Sequence, residues 1–142
     1  MKELFHILFN TMNDIKNNYS SCGRVIKAYT SITTKLYNGI PPNTFNQIII
    51  EFQDMQLTLG AAAERSCNTK SWFTEFDCQQ LVGYEIHDIY NFGDATNDTD
   101  EDTTTVYTIH AGKNAEKMPL TLHNYAYGGY YNGWLEISWN KL

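Results

Sequence analysis

Residues 44–65 read TFNQIIIEFQDMQLTLGAAAER, and the way this stretch folds decides the architecture of the chain. Thr44 and Gln47 have the spacing of a capping box, in which the hydroxyl and the side-chain amide satisfy orphan N–H groups at a helix start. Phe45, Ile48, Ile49, Phe52, Met55 and Leu59 then fall on one helical face, so the spacing predicts a helix over 44–65. A competing pattern sits in the same residues: IIIEF, residues 48–52, also suits a buried strand if the segment breaks near Gly60.

Toward the N-terminus the helical period continues. Leu4, Leu8, Met12 and Ile15, flanked by Phe5 and Phe9, predict an amphipathic helix over residues 2–18. Val25, Tyr29, Ile32 and Leu36 predict a second, capped by Ser20 or Ser21 and stopped by Asn38-Gly39 ahead of Pro41-Pro42. Beyond residue 80 the period changes to two. Val82 to Ile86, Val106 to His110, Leu120 to Tyr125 and Trp134 to Trp139 alternate apolar and polar residues with β-branched and aromatic enrichment, the pattern of four strands. Asn132-Gly133 is a hairpin-turn signal. The expected fold is α+β, with N-terminal helices packed on a C-terminal antiparallel sheet of about four strands in one domain, residues 1–142.

With 142 residues, 42% hydrophobic and 14% aromatic, the chain can build a core without metals or disulfides. No apolar run approaches the roughly 18 residues that span a bilayer, and Met1 to Tyr19 lacks the unbroken apolar stretch of a signal peptide. The expectation is a soluble, cytoplasmic protein. Cys22, Cys67 and Cys78 form no CxxC pair and no cysteine–histidine cluster at zinc spacing, so they read as isolated thiols, with a Cys67–Cys78 bridge an option only in an oxidising compartment. No cofactor is expected.

The charge is uneven. Residues 1–70 carry seven Lys and Arg against five Asp and Glu, whereas residues 71–142 carry three against eleven, a net of −8. Such a field disfavours nucleic acid as a ligand and favours cationic partners. It is densest in DATNDTDEDTTT, residues 94–105, where five carboxylates occupy nine positions. Asp98-x-Asp100-x-Asp102 opens like a calcium loop, but Thr103 stands where the turn needs Gly and Ile109 where a bidentate Glu closes the site.

Other chemistry is thinly represented. His110 and His123 fall on neighbouring predicted strands, where two imidazoles on one face would form an acid–base pair for a hydrolase. Neither has an adjacent base in sequence to hold a phosphate. The tail NYAYGGYYNGWLEISW, residues 124–139, concentrates four tyrosines and two tryptophans. Alternation there turns Leu135, Ile137 and Trp139 inward and leaves Trp134, with Tyr130 and Tyr131, exposed as anchors of the kind that dominate binding hot spots.

Together these features rank a non-enzymatic binding module first: an inhibitor or immunity-type protein that neutralises a basic protein partner such as a nuclease toxin. Asp98, Asp100, Glu101 and Asp102 would steer the encounter, and Tyr130, Tyr131 and Trp134 would anchor it. Two alternatives are a glycan-binding or phage or particle-surface module using the same aromatics, and a hydrolase using His110 and His123.

Overall fold

The stretch 44–63 folds as strands. In the computed structural model, which describes residues 19–32, 44–63, 69–74, 76–91, 96–97, 102–114, 116–126 and 133–142, Ile48, Ile50 and Phe52 are buried along one arm and Met55, Leu57 and Leu59 along the other. Both arms follow a period of two. Gln53 and Asp54 are exposed at the turn, and the Phe52 N–H donates to the Met55 carbonyl at 2.8 Å. Ile48, Phe52, Met55 and Leu59 satisfy the helical and the strand period alike, whereas the fully buried Ile50 and Leu57 satisfy only the strand. Ile49, which a helix would bury, lies on the opposite face as the cross-strand partner of Tyr29.

Numbered along the chain, the strands are β1 (Lys27–Ser31), β2 (Thr44–Phe45), β3 (Gln47–Glu51), β4 (Met55–Ala63), β5 (Thr69–Thr74), β6 (Ile86–Asn91), β7 (Thr96–Asn97), β8 (Asp102–Ala111), β9 (Glu116–Ala126) and β10 (Gly133–Lys141). Two antiparallel sheets result. The first runs β1-β3-β4-β10; the second runs β2-β5-β9-β8-β6, with β7 also paired to β8. Each has four longer strands, since β2 and β7 are only two residues each. At Asn46 the chain passes from β2 in the second sheet to β3 in the first.

The α+β expectation is therefore overturned: among the described residues the only helical elements are the 3-10 turns Tyr19–Cys22 and Cys78–Leu81. The helix expected from Ser20 to Asn38 is replaced over its described part by a 3-10 turn and β1, and Ile32, assigned to its buried face, is 57% exposed. The helix expected over 2–18 lies outside the described residues. Of the four expected strands, β8, β9 and β10 cover three. The stretch 82–86 instead makes the isolated bridge Arg24↔Glu85 and a Gly83 N–H bond to the Val25 carbonyl at 2.8 Å before β6 begins.

The inner faces share one apolar core, with Ile48, Ile50, Leu57 and Leu59 from the first sheet meeting Phe73, Ile109, Leu120 and Leu122 from the second. On β10 Leu135, Ile137 and Trp139 are the half-buried set and Trp134, Glu136 and Ser138 the exposed one. The strand pairs with β4 over all nine residues, so the turn signal at Asn132-Gly133 does not join it to β9 in a hairpin. Side chains also cap backbone groups on the two strands that border the first sheet. The Leu135 N–H of β10 donates to the Tyr107 hydroxyl at 3.0 Å, and the Gln79 side chain donates to the Ala28 carbonyl of β1 at 2.7 Å. Bonds of this kind occupy groups that would otherwise template another strand.

Candidate functional site

In the second sheet the described residues that flank the acidic and the tyrosine-rich segments stand next to each other. At the start of β8, Asp102 stands opposite Tyr125, and Asn97 of β7 stands opposite Thr103. The segment 98–101 therefore joins β7 to β8 at the end where β9 finishes at Ala126, and Ala126 stands opposite Thr69, the start of β5. Residues 127–132, between Ala126 and Gly133, lie outside the described residues. Asp98, Asp100, Glu101, Tyr130 and Tyr131 lie outside the described residues. Asp102 lies in the second sheet. Trp134 lies in the first, opposite Ala62 on the outer face and 43% exposed.

The histidine pair is not assembled. His110 and His123 do lie on one face of neighbouring strands, but His110 stands opposite Lys117 and His123 opposite Thr104. Six positions along β8 separate them, about 20 Å at roughly 3.3 Å per residue, too far to share one substrate proton relay. Each has another neighbour. His123 stacks on Trp72, with ring centroids 5.7 Å apart and planes 15° off parallel, and its Nε2 shares a hydrogen bond with the Thr74 hydroxyl at 2.9 Å. His110 lies beside His87, with centroids 5.8 Å apart.

The Trp72–His123–Thr74 group was not legible in the sequence, because it depends on the β5–β9 register across 49 positions between Thr74 and His123. Trp72, Thr74, His123 and the threonines Thr104 and Thr121 share the outer face of the second sheet by that register, together with Val106, which is 42% exposed. Chemically this is a flat surface of aromatic rings and hydroxyls. It offers stacking and hydrogen bonding, and the one hydroxyl it sets against an imidazole is that of Thr74, beside His123.

The two described thiols, Cys22 and Cys78, carry no sign of activation. Cys78 is a free, buried thiol, so the bridge to Cys67 is not formed, and Cys67 itself lies outside the described residues. Burial is the first cause holding the Cys78 thiol above its ordinary range, and burial does the same to Cys22 against a weaker opposing hydrogen bond from Ser21. An activated cysteine is shifted the other way. Among the described residues no group of three or more His, Cys, Asp or Glu side chains is placed to hold a metal ion, and no helix is long and apolar enough to cross a membrane. Compared with known proteins, the chain matches no family model, no curated protein and no solved structure.

Proposed function

We propose that this chain is a protein-binding module, an inhibitor or immunity-type protein that neutralises a cationic partner such as a nuclease toxin in the cytoplasm. The observation that carries the reading is the register Asp102↔Tyr125, which attaches the acidic segment and the tyrosine-rich segment to adjacent strands at one end of the second sheet. Adjacent strands are about 4.8 Å apart, so a single partner surface can meet both attachments. In this mechanism Asp98, Asp100, Glu101 and Asp102 attract Lys and Arg of the partner, while Tyr130, Tyr131 and Trp134 supply the desolvated contact. The free thiols of Cys22 and Cys78 support a reducing compartment.

The test is affinity capture from an extract of the source cells by the wild-type chain and by a variant with Asp98→Asn, Asp100→Asn, Glu101→Gln and Asp102→Asn. The expected result is a basic protein retained by the wild type at about 50 mM salt, released at about 500 mM, and lost with the variant, because charge attraction is screened as the Debye length shortens. Equal recovery of the same protein by both chains would refute the reading.

Trp72 lying parallel to His123 beside the Thr74 hydroxyl, with Trp134 exposed on the other sheet, favours a second reading as a glycan-binding or particle-surface module. Stacking on sugar rings is nearly indifferent to salt, so retention on an immobilised glycan that persists at about 500 mM salt and is lost on Trp72→Ala would favour it.

A further inference from the structure

At the other end of the second sheet, eight positions along β8 from Asp102, two imidazoles are brought side by side by an irregularity in an edge strand. Ile86 stands opposite Ala111 and Asp88 opposite His110, so the register slips by one residue and His87 becomes the extra residue of a bulge. A bulge re-aims the side chain it carries. In a regular strand His87 and Asp88 would point to opposite faces; here both are exposed, and the His87 ring comes within 5.8 Å of the His110 ring, centroid to centroid, at 60° between planes.

The surrounding groups leave the two rings free to bind. Neither ring makes a hydrogen bond within the described residues, so each keeps a nitrogen lone pair available. Asp88, the cross-strand partner of His110, turns its Oδ1 to the Ile89 N–H at 2.8 Å. Lys117, on the other side of His110, is a donor only. Two imidazoles with no third ligand among the described residues match a divalent first-row transition ion that keeps its remaining positions open, since imidazole suits zinc, nickel and copper and is a poor ligand for magnesium or calcium.

We propose that His87 and His110 form a two-imidazole binding site for a divalent transition-metal ion, with water completing the coordination. The site is separate from the acidic end and stands independently of the partner-docking reading.

The experiment is titration calorimetry of the full chain with zinc chloride and with nickel chloride, run on the wild type, His87→Ala, His110→Ala and a His6→Ala control. One ion per chain is expected, with affinity falling about tenfold or more in each site variant and unchanged in the control. His87→Gln and His110→Gln, which keep a polar side chain of similar size, should lose binding to the same extent, and unchanged thermal unfolding would separate lost ligation from lost fold. The imidazole proton resonances of His87 and His110 should shift or broaden together on zinc addition. No heat of binding, binding that survives both single substitutions, or resonance changes confined to other histidines would overturn the proposal. Loss of magnesium or calcium binding in parallel with zinc would also overturn it, because two imidazoles do not hold a hard cation.

Discussion

Replacing Leu57 by Ala and, separately, Ile49 by Ala distinguishes the two ways of folding residues 44–63. Leu57 is fully buried, with Ile50 of β3 on one side and Trp139 of β10 on the other, so it lies in the interior of the first sheet. Losing its three outer carbons removes about 2.4 kcal/mol of transfer free energy at about 0.8 kcal/mol per buried methylene. Neighbouring strands on both sides limit collapse into the space, which raises the expected cost to about 3–4 kcal/mol. Ile49 is half-buried on the outer face and meets Tyr29 there, so its truncation should cost about 1 kcal/mol. Urea unfolding followed by tryptophan fluorescence measures both, and in a thermal scan the Leu57 variant should melt roughly 10 °C below the wild type. A helix would reverse the order, because its apolar face includes Ile49 and excludes Leu57. An Ile49→Ala variant as destabilised as Leu57→Ala would refute the assignment of faces.

Tyr107→Phe should destabilise the chain by about 1 kcal/mol, because the Leu135 N–H loses its acceptor, and hydrogen exchange at the Leu135 amide should accelerate more than at its neighbours. Tyr19 carries a pH signature. Burial first, and the Asp88 carboxylate second, hold its phenol above the ordinary range, so above about pH 10 the folded chain keeps a proton that the unfolded chain loses. Its contribution is complete below that pH and is lost as pH rises through the folded value. Tyr19→Phe should therefore make the alkaline loss of stability shallower, measured by urea midpoints from pH 8 to 11.

The second half of the chain was the more legible. Strands β8, β9 and β10 largely alternate apolar and polar residues because one face of each is core and the other is solvent, with Val106 exposed and Thr105 and Asn124 buried as exceptions, and β10 exposes Trp134, Glu136 and Ser138 as the alternation reads. The first half misleads for a local reason: Val25, Tyr29 and Ile32 match a helical period although Val25 precedes a strand, Tyr29 meets Ile49 across the sheet, and Ile32 is exposed. In residues 48–52 three consecutive isoleucines populate both faces, and this blurs a period of two into something a helix also satisfies. Turn chemistry fixes a local bend but not the strand that follows it to a partner, so Asn132-Gly133 carried no sign that β10 would pair with β4. The same limit hid the ring contacts. Trp72 meets His123, and His87 meets His110, only through the registers of distant strands and a one-residue bulge.

In the proposed function, carboxylates of residues 98–102 steer a cationic partner while aromatic residues hold it. Its most direct test measures association and dissociation rates of the captured basic protein with the wild type, the Asp98, Asp100, Glu101 and Asp102 neutralised variant, and Trp134→Ala, each at about 50 and about 200 mM salt. The account predicts a wild-type association rate that falls steeply with salt, a neutralised variant that associates slowly and nearly independently of salt, and a Trp134→Ala variant that associates like the wild type and dissociates faster. An association rate for the neutralised variant equal to the wild-type rate at low salt would contradict it.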